Sequence, residues 1–113
     1  MTQQYPDAYS FKSKLDMDAI QERLNAKGPW KWSCRDSSYY GDYLITRPDA
    51  GETKLRIFAD NPNGKAPNYV LDIRFDPGES TGYISLAELH RITKKQILSA
   101  IEGENIKEAE SWD

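Results

Sequence analysis

The sequence predicts a two-layer α+β sandwich, in which a four-stranded antiparallel meander packs two helices on one face. Three observations support this prediction. Three of four segments between residues 30 and 75 place apolar side chains at a period of two, whereas the segment 42–47 has Tyr43, Leu44 and Ile45 in succession and leaves its buried face open. Residues rich in proline, glycine and asparagine separate these segments, and an amphipathic helical pattern lies on each side of them. A possible fifth strand at residues 9–15 is expected to form an N-terminal edge of the sheet.

The length of 113 residues suits a single domain with one core. We expect a flexible N-terminal lead at residues 1–8, an α+β domain at 9–103 and an acidic C-terminal tail at 104–113. Hydrophobic residues make up only 38% of the chain, but they include 3 Trp, 7 Tyr and 3 Phe. Because each aromatic side chain buries a large area, a core can form from a modest number of apolar residues.

The first helix is predicted at about residues 17–27, where apolar residues recur at helical spacing. Asp16 or Asp18 can cap its first turn. Gly28 followed by Pro29 ends it, because glycine accepts a left-handed conformation and proline cannot continue the helix.

The second helix is predicted from a capping box and the apolar stripe that follows it. Ser85 and Glu88 have the spacing at which each side chain satisfies the backbone N–H of the other residue. Gly103 ends this helix. The stripe consists of Leu86, Leu89, Thr93, Ile97, Ala100 and Ile101.

The strands of the meander are predicted at about 30–35, 42–47, 53–59 and 69–75. On the first strand, Trp30, Trp32 and Cys34 share the face that we expect to pack on the helices. The alternate residues then form an open, helix-free face of the sheet. That face is expected to present Lys31, Ser33, Arg35, Lys54, Arg56, Phe58, Val70, Asp72 and Arg74.

Charge, composition and missing motifs disfavour several classes of function. The net charge of −3, with acids and bases interspersed, disfavours nucleic acid as a partner. One cysteine cannot form an internal disulfide, and neither a signal peptide nor a membrane-spanning segment is visible, so we expect a cytoplasmic protein without membrane contact. No nucleotide-binding, hydrolase or zinc motif is present, and we therefore predict no catalytic residue, metal site or cofactor.

The leading hypothesis is a small non-enzymatic module that binds a partner protein, for example as an inhibitor or an immunity-type protein. Such a protein acts by occluding its partner, and we expect contact through the open sheet face and the loop at 36–41. Arginine and tyrosine dominate binding hot spots because they combine a large contact area with directed hydrogen bonds. The predicted partner-binding residues are Lys31, Arg35, Asp36, Tyr39, Tyr40, Arg56, Phe58 and Arg74.

Two alternatives come from other functional classes. The same face, with basic residues around Phe58, is suited to a small ligand or to single-stranded nucleic acid. A thiol enzyme would use Cys34 as nucleophile and His90 as base. The competing interpretation is structural, with Cys34 as a small apolar core residue and His90 at the margin of a helix, one nitrogen in water.

Overall fold

The computed structural model describes residues 5–38, 41–48, 52–59, 68–76, 78–79, 82 and 84–109. Within these residues the chain forms six strands and two helices. The strands are β1 (Ala8–Lys12), β2 (Ser33–Ser37), β3 (Gly41–Thr46), β4 (Lys54–Ala59), β5 (Asn68–Arg74) and β6 (Glu104–Ala109). The first helix is α1 (Met17–Lys27). The second, called the C-terminal helix, covers 86–100 and comprises α2 (Leu86–Ile92), a π-helical turn (Thr93–Ile97) and a last α-helical turn (Leu98–Ala100).

The strands form one antiparallel sheet in the order β2-β3-β4-β5-β1-β6. The predicted meander is confirmed, because β2 to β5 are neighbours in chain order. The N-terminal strand exists, but it lies inside the sheet between β5 and β6 and not at an edge. Its register pairs Tyr9 with Leu71 and Phe11 with Tyr69, so that it contributes apolar side chains to the core.

The sixth strand differs from the expected acidic tail. Glu104–Ala109 pair with β1, with a register shift between Ser10 and Lys12 and a positive φ of 52° at Asn105. Most side chains of β6 are exposed, so backbone hydrogen bonds hold it in place without a hydrophobic face. The sequence therefore carried no apolar alternation from which to predict it. Residues 110–113 of the expected tail lie outside the described residues.

Both helices pack on the same face of the sheet, as predicted. The apolar residues of the helices and of one set of alternating strand positions form a single buried cluster. Each of these side chains transfers apolar surface out of water and stabilises the fold by about 1.5–3 kcal/mol. Its central members are Ile20, Leu24, Leu44, Leu55, Ile57, Leu71, Leu89, Ile97 and Leu98.

The helix termini follow the predicted capping residues with two changes. Asp16 caps α1 and accepts a 2.8 Å hydrogen bond from the backbone N–H of Ala19. Ser85 accepts from the N–H of Glu88, but the Glu88 carboxylate bonds to Arg91 and does not complete the capping box. Gly28 has an extended backbone with a φ of −79°, not a left-handed one. A glycine is required there because a Cβ would lie 2.6 Å from a backbone oxygen of the preceding helical turn.

Candidate functional site

The sheet register places the predicted surface residues on the helix-free face. Two neighbouring rows of side chains cross strands β2 to β5 on this face, opposite the buried apolar cluster. The first row contains Ser33, Ile45, Arg56 and Asp72, and the second contains Arg35, Tyr43, Phe58 and Val70. The prediction that alternate residues of β2, β4 and β5 share one face is therefore confirmed. In β3, whose faces the sequence left open, Tyr43 and Ile45 lie on this face and Leu44 lies in the core.

The centre of the helix-free face is buried, which corrects the expectation of an open surface. Arg56 is 7% exposed, and both Phe58 and Asp72 are 0% exposed. An isolated charge is costly to bury, so arginine and aspartate occupy such positions as a pair. Two of the predicted partner-binding residues, Arg56 and Phe58, thus lie inside the protein, where Phe58 packs beneath the half-buried Tyr43.

An ion pair and two aromatic rings organise this buried centre. The Arg56 guanidinium donates from Nε to Asp72 Oδ1 at 3.0 Å and from Nη2 to Asp72 Oδ2 at 2.5 Å. The same guanidinium lies 5.0 Å from the centroid of the Phe58 ring, which in turn is 5.1 Å from the ring of Tyr43. Bidentate pairing and ring contact hold these side chains in fixed positions. The half-buried Tyr43 consequently lies on a rigid base.

One group of exposed residues of the helix-free face lies at the β2 edge of the sheet. Arg35 on β2 is exposed next to Tyr43, and Lys31, which precedes β2 and lies beside the buried Trp32, is exposed as well. We call Lys31, Ser33, Arg35 and Tyr43 the β2 edge surface. Neither of its cations forms an ion pair with a described residue. Other arginines do form such pairs, namely Arg23, Arg47, Arg56 and Arg91.

The remaining predicted binding residues lie elsewhere. Asp36 is exposed on the opposite side of β2, and Arg74 is exposed on β5, three strands away from β2. The expected loop at 36–41 is shorter than predicted, because β2 runs to Ser37, which pairs with Gly41 at the start of β3. Tyr39 and Tyr40 lie outside the described residues.

The helix-side face of β2 is acidic at its turn end. Asp36 and Asp42 lie directly opposite each other on adjacent strands. Cys34 is exposed on this side, so the prediction that it packs in the core is wrong: the last buried core residue before β2 is Trp32. Partial desolvation raises the pKa of the Cys34 thiol, and the carboxylates of Asp42, Asp18 and Asp36 raise it further. A raised thiol pKa lowers the fraction of reactive thiolate.

The structure does not bring Cys34 and His90 together. Cys34, Leu44, Ile57, Leu71 and Tyr9 form one row across five strands, and it is Tyr9, at the far end, that contacts the histidine. Four strand spacings of about 4.8 Å separate the two ends by about 19 Å. A base that activates a thiol must lie within hydrogen-bond reach of it. The geometry required for the thiol-enzyme alternative is therefore missing.

His90 belongs to a separate buried cluster between the C-terminal helix and β1. Its Nδ1 shares a 2.6 Å hydrogen bond with the Tyr9 hydroxyl, and the Tyr5 ring stacks on it at 4.5 Å. Lys94 Nζ lies 5.5 Å from the centroid of the Tyr9 ring. At 3% exposure His90 is a buried residue, in contrast to the boundary position that its helical spacing predicted.

Electrostatics keep this cluster neutral. Desolvation lowers the pKa of His90, and the Lys94 ammonium lowers it further, against a smaller opposing effect of Glu108. Burial raises the pKa of the Tyr9 hydroxyl, and Glu108 and Tyr5 raise it further. Both shifts favour the uncharged forms that a buried site requires.

We expect the fold to lose stability as the pH falls below about 6.5, the ordinary pKa of histidine. The folded state holds the pKa of His90 below that value, so the unfolded chain binds the proton more readily. The stabilisation is complete above the ordinary pKa and is lost as the pH falls towards the pKa of the folded state. Urea unfolding between pH 7.5 and 5.5 should show a decline in the wild type that His90→Gln reduces. An equal decline in both proteins would contradict this assignment.

The described residues contain neither a metal-binding cluster nor a membrane-spanning helix. Among them, no group of three or more histidine, cysteine, aspartate or glutamate side chains could hold a metal ion. In the same part of the chain, no helix has both the length and the apolar character needed to cross a membrane. The β2 edge surface carries exposed charge, and the His90 cluster carries buried titratable groups.

The chain was also compared with protein-family models, with curated proteins and with solved structures. None of the three comparisons found a match.

Proposed function

We propose that this protein is a small non-enzymatic module that binds a partner protein through the β2 edge surface and neutralises it, in the manner of an inhibitor or immunity-type protein. One observation carries the proposal. Arg35, on the edge strand β2, is exposed and forms no ion pair with a described residue, and it lies beside the half-buried Tyr43 of β3. Arginine and tyrosine at such a position supply both contact area and directed hydrogen bonds.

The rigidity of the β2 edge surface supports this proposal. Tyr43 packs on Phe58, and Phe58 in turn contacts the Arg56–Asp72 ion pair. A surface held in place before binding loses less conformational entropy when the partner arrives. The buried centre of the helix-free face therefore contributes to binding indirectly, as a support for the exposed rim.

The same buried centre argues against the alternative of a single-stranded nucleic-acid binder. Stacking of a base requires an accessible aromatic face, and Phe58 is 0% exposed. The net charge of −3 adds repulsion of phosphate groups. We therefore favour a protein partner over nucleic acid.

Affinity capture from the cells that produce the protein tests the proposal. We expect wild-type protein to retain a partner that the double variant Lys31→Glu with Arg35→Glu loses. A matched control, Lys27→Glu with Lys95→Glu, makes the same change in net charge at exposed helical positions and should retain the partner. Both variants should unfold at the wild-type urea concentration, since exposed substitutions change stability by only about 0.5 kcal/mol. Equal capture by both double variants would refute the assignment of the β2 edge surface.

A further inference from the structure

We infer that the partner contributes an extended segment that pairs with the outer edge of β2 and carries acidic side chains on one face and basic side chains on the other. This inference rests on the proposed function and states how the partner is recognised. The mode of binding is strand addition, in which backbone hydrogen bonds supply affinity and alternate side chains supply specificity.

The position of β2 supports strand addition. β2 pairs with β3 on one side, and no described strand pairs with its other side. An edge strand presents backbone N–H and C=O groups that an extended chain can bind. At Trp32, which precedes β2, the backbone already bonds to α1. Its N–H donates to Asn25 Oδ1 at 2.7 Å, and its carbonyl accepts from Gln21 Nε2 at 3.1 Å and from Asn25 Nδ2 at 3.2 Å. The edge that an incoming strand can pair with therefore begins after Trp32.

The opposite edge of the sheet is less suited to this role. β6 has a register shift against β1, and Asn105 within it has a φ of 52°. A bulge of this kind twists the strand and interrupts a regular hydrogen-bonding edge. β2 pairs with β3 over five consecutive residue pairs without such a shift. A regular incoming strand therefore fits β2 better than β6.

Charge on the helix-free side of β2 selects acidic residues in the partner. Lys31 and Arg35 are both exposed, lie four residues apart and form no ion pair with a described residue. In an extended segment, side chains on one face recur every second residue, at about 6.6 Å. Acidic residues spaced four apart in the partner would therefore lie opposite both cations.

Charge on the helix side selects the opposite sign. Asp36 and Asp42 are cross-strand neighbours, a like-charge arrangement that destabilises an isolated sheet. Asp18 is close enough to Cys34 to contribute to its raised pKa, which adds a third carboxylate to this region. A basic side chain beside Asp36 would offset this repulsion. The two faces of β2 together select a segment in which acidic and basic residues alternate.

The test uses two nine-residue synthetic peptides of identical composition, five glutamates and four lysines. In the first, the two residue types alternate, so that one face of the extended peptide is acidic and the other basic. In the second, four glutamates precede four lysines and a last glutamate, so that both faces are mixed and residues four apart always carry opposite charges. Fluorescence anisotropy at low salt should show at least about tenfold tighter binding of the alternating peptide, a difference of about 1.4 kcal/mol. Arg35→Glu should remove this preference, whereas Lys95→Glu should leave it unchanged.

Amide hydrogen exchange identifies the mode of binding. The alternating peptide should slow exchange in β2. Two versions with N-methyl groups on alternate backbone nitrogens, one on the glutamates and one on the lysines, should differ in affinity, because only one of these two sets of N–H groups faces β2. Equal affinity for the two peptide patterns, or unchanged exchange in β2, would overturn strand addition. If strand addition failed in this way but the double variant Lys31→Glu with Arg35→Glu still lost its partner, the proposed function would remain supported and only the mode of binding would be wrong. If the alternating peptide protected β2 while that variant still captured the partner, the proposed function would fall instead.

Discussion

Replacement of Asp72 by alanine should lower the free energy of unfolding by about 3–5 kcal/mol. The substitution leaves the guanidinium of Arg56, which is 7% exposed, without a carboxylate that accepts two hydrogen bonds from it. An unpaired charge in the interior loses its hydration without compensation. Urea unfolding followed by tryptophan fluorescence measures the change. Asp36→Ala, at an exposed position, is the control and should change stability by about 0.5 kcal/mol or less.

A double variant separates the cost of the unpaired charge from the value of the ion pair. Arg56→Met with Asp72→Leu removes both charges and keeps apolar volume in their place. Because desolvation offsets much of the attraction within a buried ion pair, this variant should be more stable than Asp72→Ala alone. If the double variant proved as unstable as Asp72→Ala, the loss would reflect packing and not charge.

Replacement of Phe58 by alanine should cost about 3–5 kcal/mol, the usual range for a fully buried phenylalanine. Phe58 is 0% exposed, although it lies on the sheet face that carries no helix, and its ring contacts both Tyr43 and Arg56. Phe75→Ala is a matched control, since Phe75 is 36% exposed and loses less buried area. Thermal and urea unfolding of the two variants should differ accordingly. Similar small losses in both would mean that Phe58 belongs to the surface.

These two results bear on the proposed function as well. The sequence predicts Phe58 and Arg56 as contact residues, because an aromatic ring and a basic group on one face are typical of a binding surface. Because both side chains are buried, they stabilise the fold, and substitutions there would impair partner binding by unfolding the protein. Variants of Lys31 and Arg35 avoid this difficulty, because both side chains are exposed. They are the appropriate positions for tests of recognition.

Much of the fold was predictable because its signals are local. The alternation in β4 and β5 and the helical spacing of Ile20 and Leu24 are consequences of the backbone geometry of strands and helices. The caps at Asp16 and Ser85 are equally local, since each bonds a backbone N–H three residues further along. Short connections then favour neighbouring antiparallel strands, and this rule correctly predicted the order from β2 to β5.

The features that were mispredicted depend on contacts between distant parts of the chain. β6 bonds to β1 through its backbone, so its exposed side chains show no apolar pattern, and its pairing places β1 inside the sheet. Cys34 and Trp32 share one alternation, yet Trp32 is buried where α1 bonds to its backbone, and Cys34, two residues further along, is exposed. Periodicity specifies which side chains share a face. Whether that face is covered depends on which distant segments pack against it, and no local pattern contains this information.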